Sequence, residues 1–531
     1  MSARRVILEE GKRLSESLLW TLQRRFFEVR KLRAWSEGVV PHYVSSHPFL
    51  ARAYGRLAVG YLRDERETID PHEPIYCIEL GAGSGRLGFH FLRQTLAALR
   101  LPALRDLRLK YVMTDFAPGQ VDELAGQAAF RPWIEEGLLD FARFDAEAPA
   151  ALHLLHANTR LAPGTLANPA LVVANYVFDS IPQDVFRVED GTLCEALVTL
   201  STDREAPDLG DPDLLPTIRL DASFAPVAGP DVYGEPALDG LLEDYRDRLA
   251  AAHLPFPCAA LRCLDFFRRL TGDRLLLLSA DKGFVHEESL LDHGLPGFAI
   301  HGSLSMQVNY HALALAVRRS GGTALHAERR LASLCICALA PGRSGDGLAE
   351  TRHAFAEAVE AQGPDDFFSI KKGMEQAYAT LTADQALAYL RFSGGDANIF
   401  LGLFPRLMAL APGMDDETRR ELCAVARRVW EMFLPIGEER DVAFHLGLLL
   451  ACVEQIPAAL DLFTESLRLY GPDAATLYNV ALCHHRLHRP EASREAVEQA
   501  LALEPGHPGA RRLHLVLQGE PATTATGGPP P

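Results

Sequence analysis

The stretch Ile75-Tyr76-Cys77-Ile78-Glu79-Leu80-Gly81-Ala82-Gly83-Ser84-Gly85-Arg86-Leu87-Gly88 runs as an apolar strand through an acidic residue into a glycine-rich turn and then a helix. Three glycines at alternate positions allow backbone conformations closed to residues with a Cβ, and let the chain approach a ligand closely. Glu79 stands where the strand ends. The following helix begins near Arg86 and carries Phe89, Leu92, Leu96 and Leu99 on one stripe, at helical rather than alternating spacing. A dinucleotide loop would read G-x-G-x-x-G. Here Gly81, Gly83 and Gly85 read G-x-G-x-G, with an acid two residues before the first glycine. That form suits S-adenosylmethionine, which has no phosphate to cradle but offers a sulfonium and an α-amino group to a carboxylate. The expectation is a nucleotide-fold methyltransferase; a tight glycine turn in another kind of α/β protein is the alternative.

At 531 residues the chain is too long for one core and implies two to four units. Hydrophobic content of 48% and charged content of 23% are those of an ordinary globular protein. A net charge of −17 builds no broad basic face, which argues against nucleic acid and for a cationic protein or peptide partner. No cleavable signal and no membrane-length apolar stretch are read, so a cytoplasmic location is expected. Nine dispersed cysteines read as reduced, buried thiols. The nearest pair, Cys335 and Cys337, would share one face of a strand, and no metal is expected. The dominance of Arg over Lys and the abundance of Ala suggest a bacterial source.

Before the glycine loop, residues 1–70 are expected to hold helices and a lid: a helix over 15–33, a Pro-punctuated connection with His42, Tyr43 and His47, and a helix over 49–62. The three polar rings could cover an active site or could be surface residues before a cap at Ser46. Beyond the loop, residues 107–114 form a second strand ending at Asp115, whose carboxylate could take a ribose diol, with Phe116 beside it in the cofactor site. A helix over 121–128 follows, and a third strand over 138–144 ends at Asp145, a candidate for the adenine amine. A single acid after a strand is commonly a helix cap; acids at the ends of three consecutive strands are harder to obtain by chance. The fourth strand starts at Leu171 and runs into Asn175, Tyr176 and Asp179.

This last stretch resembles the MidA family of S-adenosylmethionine-dependent methyltransferases, whose mitochondrial members assist complex I assembly. The family pattern is an apolar strand, then N-E-aromatic-aromatic-D-A-L-P, then a second strand. Asn175, Asp179 and Pro182 match it, and Tyr176 stands where the family has Glu. The likeness continues in residues 42–62, in Leu275 to Gly283 where D-Y-G is usual, and in Leu304 to Tyr310, and so covers about residues 40 to 340. It implies a class I methyltransferase domain over 71–341 with a Rossmann-like, mostly parallel seven-stranded sheet. The domain would carry an insertion near 201–254, a helix over 261–270 and a late antiparallel edge strand over 331–339. It also implies an arginine as the methyl acceptor. Asn175 would contribute to the cofactor site and position the acceptor through its amide. Asp179 would hold or deprotonate the acceptor nitrogen or, alternatively, cap the turn before Pro182. Tyr176 would line the same opening.

After Gly342–Gly347, read as a linker, strand signals give way to helical stripes over 374–392, 399–410, 417–433, 442–453, 458–469, 475–487 and 491–503. Two stretches repeat at an offset of 34, aligning Leu446-Gly447 with Val480-Ala481, Ala459 with Ser493, and Phe463 with Val497. This resembles a tetratricopeptide repeat, so residues 348–517 are expected to form an all-α solenoid that holds the substrate. His484, His485 and His488 read as groove or surface residues of that repeat. The Pro/Gly/Thr-rich tail over 518–531 is expected to be disordered. Two functions follow: methyl transfer to a protein or peptide, or an assembly scaffold on a degenerate methyltransferase fold. The oligomeric state is not readable from the sequence.

Overall fold

The computed structural model describes residues 5–40, 43–227, 229, 231–291, 297–301, 303–329 and 333–518. The backbone groups into two units, Met1–Ile370 and Lys371–Pro531.

The first unit is built on a seven-stranded sheet. Its strands are β1 (Pro74–Leu80), β2 (Arg108–Asp115), β3 (Leu139–Arg143), β4 (Ala170–Asn175), β5 (Leu275–Asp281), β6 (Thr323–His326) and β7 (Cys335–Ala340). They lie in the order β6-β7-β5-β4-β1-β2-β3. The sheet is mixed: β5, β4, β1, β2 and β3 pair in parallel, whereas β7 pairs antiparallel with both β5 and β6. β1, β4 and β5 are buried almost throughout, as continuous apolar runs in a sheet covered on both faces must be. The late strand expected over 331–339 is therefore not the edge. Thr323–His326, too short and too polar to stand out by alternation, pairs outside it.

From β1 the chain moves outward to β2 and β3, then returns to β4 and moves the other way to β5. The carboxyl ends of β1 and β4 thus flank the switch point of the sheet, where a crevice opens. The helix Arg86–Leu99 starts from this end behind Gly85, and Cys258–Thr271 packs Phe266 and Phe267 on Phe144.

A second sheet was not anticipated. Val6–Arg13, Thr192–Thr202, Asp184–Glu189 and Ala251–Phe256 lie side by side, and Ile218–Pro226 also pairs with Thr192–Thr202, all antiparallel. The insertion expected over 201–254 is thus a strand-bearing lobe whose boundaries cut through strands, with a helix at Pro236–Arg248. The N-terminal segment begins with one of its strands rather than a helix. Val6–Arg13 reads VILEEGKR, which alternates poorly because it is an edge with most side chains partly or fully in water. Ser17 then caps the helix Leu18–Arg30 by accepting from Leu19 N.

The boundary expected at 341–348 also moves. Gly342–Gly347 forms a turn and a single 3-10 turn. Asp64 then accepts hydrogen bonds from Glu350 N (3.0 Å), Thr351 N (2.8 Å) and Thr351 Oγ1 (2.6 Å). This fastens the helix Ala349–Phe355 to the end of Pro48–Asp64, so residues 348–370 belong to the first unit. Glycine content marked a turn here, not a change of domain.

The second unit is helical. The stripe expected over 374–392 is broken, because Thr382 and Gln385 form a capping box that starts a separate helix, Ala383–Phe392. Val442–Cys452, Ile456–Tyr470, Ala474–Arg486, Pro490–Leu503 and Pro508–Leu517 follow, each packed on the next. The expected tail lies, apart from Gln518, outside the described residues.

At the first helix pair a Cβ on Gly447 would stand 2.7 Å from the Phe463 ring. The positions aligned by the 34-residue offset are Ala481 and Val497, both fully buried: a larger residue with a smaller partner. Gly447→Ala is expected to destabilise this unit by about 1–3 kcal/mol by overpacking, although Ala is the better helix former. Adding Phe463→Val should recover part of the loss, whereas Gly373→Ala, with open space around it, should raise stability slightly. Denaturant melts of the four proteins measure this; additive losses in the double variant would refute the pairing.

Candidate functional site

The crevice at the switch point holds two adjoining lobes of about 110 and 240 Å³, which share Phe27, Trp35, Gly81, Tyr176 and Ser180 in their walls. Of the expected site residues, Gly81, Asp115, Phe116, Asp145 and Tyr176 line the smaller lobe. Glu79, Gly81, Gly83, Asn175, Tyr176 and Asp179 line the larger. Gly85 lies in the loop behind them.

All three loop glycines are left-handed, with φ of 57° at Gly81, 52° at Gly83 and 72° at Gly85, so each is required by the backbone itself. The turn is anchored to β2: Ala82 N donates to Thr114 O (2.8 Å), and Thr114 Oγ1 donates to Glu79 O (2.8 Å). Gln120 donates to Gly83 O. Glu79 is buried beside the Tyr111 hydroxyl and the Gly88 N–H, both of which oppose its upward shift although neither reaches Oε2 at full hydrogen-bond geometry, and that oxygen lies where a Cβ on Gly88 would come within 2.7 Å. The same Cβ would stand 2.5 Å from Met113 Cε and 2.8 Å from the Tyr111 ring, so glycine at 88 leaves room for all three side chains. Burial pushes the Glu79 carboxyl up to about 8. Asp115 is raised to about 6, also by burial, against the opposing pull of the backbone N–H groups of Ala117, Gly83 and Phe116.

Asp145 is placed on the lobe but is not free there. Arg24, from the helix Leu18–Arg30, donates to both of its oxygens (3.0 and 2.8 Å), also pairs with Glu147 (3.1 Å), and lies 4.4 Å over the Phe116 ring. Asn175 is likewise engaged. Its amide nitrogen donates to Ser45 O (2.6 Å), and its oxygen accepts from the Tyr54 hydroxyl (3.1 Å). It therefore fixes the wall of the site, where the sequence had given its amide to the acceptor.

Tyr176 follows β4 with φ of 54°, a left-handed conformation uncommon for a residue with a side chain, which sets its ring between the lobes. Asp179 lies in the 3-10 turn Phe178–Ser180, accepts from Ser180 Oγ (2.7 Å), and is raised to about 6 by burial. Asp281, at the end of β5, accepts from the Tyr310 hydroxyl (2.7 Å), which also meets Ser279 Oγ (2.8 Å). Burial first, and then the charge of Asp179, push Asp281 well up, so it is the member of this pair that keeps its proton. The exposed Lys282 also lines the larger lobe, with Ser303 and Ser305.

The lid expected at His42, Tyr43 and His47 reaches the larger lobe through Val44, Ser45 and Ser46. His42 lies outside the described residues. His47, not Ser46, is the N-cap of Pro48–Asp64, and its buried ring stacks between Tyr43 (5.7 Å) and Phe367 (5.2 Å), so it is a packing residue. Sequence reading gave no site role to Gln23, Arg24, Phe27 or Trp35: a helix over 15–33 was expected, but nothing local says what it packs on. It also passed over Asp281 as a partner of Asp179, because the turn after β4 and the end of β5 are about a hundred residues apart. Among the described residues no group of three His, Cys, Asp or Glu side chains could hold a metal ion, and no helix is long and apolar enough to cross a membrane.

Residues 59–261 match a family model described as "Putative S-adenosyl-L-methionine-dependent methyltransferase". The matched stretch contains the glycine loop and the acids at the ends of β1, β2 and β3, together with Asn175 to Asp179. No curated protein matches the chain. Among solved structures it is similar to a Burkholderia thailandensis protein bound to S-adenosyl-homocysteine, at 18% identity over 59% of this chain and 78% of that one, with a TM-score of 0.32. A second, uncharacterized protein of the same superfamily and organism is similar at 16% identity over 63% and 95%, with a TM-score of 0.34.

The buried Glu79 carboxyl in the wall of the larger lobe and the glycine cradle fit a cofactor that brings a cation and needs close backbone approach. A cation facing Glu79 favours its ionised form, so binding must release a proton wherever the empty site holds one. Affinity for the sulfonium cofactor should therefore rise with pH up to about 8, by at most about tenfold per unit. Calorimetry in buffers of different ionisation enthalpy should show proton release near pH 7 that vanishes in Glu79→Gln; equal proton release in that variant would remove Glu79 from this role.

Proposed function

We propose that the first unit transfers a methyl group from S-adenosylmethionine to a protein or peptide, with an arginine nitrogen as the leading acceptor, and that the helical unit recruits this substrate. The observation that carries the reading is the buried Glu79 carboxyl in the wall of the larger lobe, set behind three obligatory left-handed glycines at the switch point of the sheet. Glu79, the glycine loop, Asp115 and Phe116 would hold the cofactor. When bound, it supplies a methyl group on a sulfonium, whose C–S bond breaks as the bond to nitrogen forms.

The chain's own part is alignment and proton removal. Asp179, raised to about 6, is ionised at neutral pH and can accept a hydrogen bond from a cationic nitrogen. A guanidinium, with a pKa above about 12, does not release its proton beforehand. The proton passes to Asp179 only as the new N–C bond withdraws electron density from the nitrogen. Asp281 contributes by staying protonated: a second negative charge so close would oppose the ionisation of Asp179. Tyr176 separates the lobes, and Asn175 keeps residue 45 against the larger one, which limits water at the transfer point. An assembly scaffold with an idle methyltransferase fold is the second reading, favoured by the Arg24 side chain standing on Asp145.

Asp179→Asn keeps the shape and removes the charge. The variant is expected to bind S-adenosyl-homocysteine as the wild type does and to transfer methyl groups about a hundredfold more slowly, the usual scale for a lost general base. The wild-type single-turnover rate should climb with pH to about 6 and then level off, since the ionised carboxylate is the working form. The assay supplies methyl-labelled cofactor and native-host extract, with mass spectrometry to locate the label. Label confined to small molecules would end the protein reading, and absence of cofactor binding would favour the scaffold.

A further inference from the structure

A flat cation fills part of the wall where the cofactor's base would be expected. The Arg24 guanidinium lies 4.4 Å over the Phe116 ring and presents its edge to Asp145 through two parallel hydrogen bonds of 3.0 and 2.8 Å. An adenine ring asks for the same two things: a π-face to stack on, and a carboxylate to accept from its exocyclic N–H. Phe116 follows β2 directly and Asp145 lies two residues past β3, both lining the smaller lobe whereas Asp179 lines the larger, and Glu147 adds a third contact to the guanidinium at 3.1 Å. A planar donor on a carboxylate fork is the strong form of such a pair.

We infer that Arg24 is an internal placeholder for the adenine ring, a side chain that satisfies the base subsite when it is empty and must leave Asp145 when the base arrives. The inference rests on the cofactor reading above. The helix carrying Arg24 need not move. The neighbouring Gln23 is buried and fixed by a reciprocal pair, donating to Leu304 O (2.8 Å) and accepting from Leu304 N (2.7 Å). With the backbone held there, displacement is a swing of one long side chain, itself about a quarter exposed, toward solvent. The arrangement keeps Phe116 and Asp145 covered without cofactor, and it taxes affinity by the fraction of time that Arg24 spends on Asp145.

The experiment compares wild type, Arg24→Met and Arg24→Lys with S-adenosyl-homocysteine as the probe, using calorimetry for affinity and stopped-flow fluorescence of Trp35, which lines both lobes, for rates. Met keeps the stem and removes the competing donor. Its affinity should rise by about fivefold, the worth of one partly exposed ion pair. The wild-type association rate should level off at high ligand, because Arg24 must leave first, while the Met variant should stay linear. Lys, a point cation without the planar fork, should fall between. Equal or weaker binding by Arg24→Met, with melting temperature unchanged, would overturn the placeholder while leaving the cofactor reading intact. No binding by the wild type or either variant would overturn the cofactor reading, and the placeholder with it.

Discussion

Glu79, Asp115, Asp179 and Asp281 are acids held out of water at one end of one sheet, and the first unit is arranged around the cost of keeping them there. An ionised carboxylate in a dry site is expensive unless it is paired or hydrogen-bonded. The chain meets that cost differently at each position. Asp115 takes backbone N–H groups from the turn after β2, Asp281 keeps its proton and takes the Tyr310 hydroxyl, and Asp179 takes Ser180. Glu79 and Asp281 each keep an oxygen with no hydrogen-bond partner, and of the two only Glu79 lines the larger lobe. A structural core would have replaced such groups with apolar ones; retaining the Glu79 carboxyl in the wall of the larger lobe is a reason to regard the crevice as built for a cationic ligand.

The walls follow from the same economy of buried polar groups. Asn175 ends β4, and both ends of its amide are used, on Ser45 O and the Tyr54 hydroxyl, so the segment before Pro48–Asp64 is fixed over the larger lobe without a cap from Ser46. Gln23 does the equivalent work on the other side through Leu304. Two amide side chains thus fix covering segments to the sheet and to the strand Ser303–Met306. The rings around them, Phe27 stacked on Trp35 and His47 on Phe367, exclude water from the contacts. The smaller lobe inherits its particular chemistry from this cover: a purely apolar N-terminal helix would have left Asp145 open, and Arg24 does not.

The sequence by itself determined the parts that local physics dictates. Buried parallel strands must be apolar runs, and a left-handed turn must be glycine, so β1, β4, β5 and the loop from Gly81 to Gly85 were legible, as were the acids that follow the strands. Most helical periods of the second unit were readable for the same reason, down to the small residue at Gly447 that a close helix crossing demands, but the capping box that divides 374–392 and the helix Pro508–Leu517 were not. What only the tertiary structure decided is which groups meet. Val6–Arg13 and Thr323–His326 are edges with weak alternation, so neither their existence nor their partners could be read locally. That Asp281 faces Asp179, that Asn175 serves a wall, and that Arg24 stands on Asp145 are contacts spanning about a hundred residues or more. The residue types at those positions fit several roles equally well, and the partner that chooses among them is brought there by packing the sequence does not spell out.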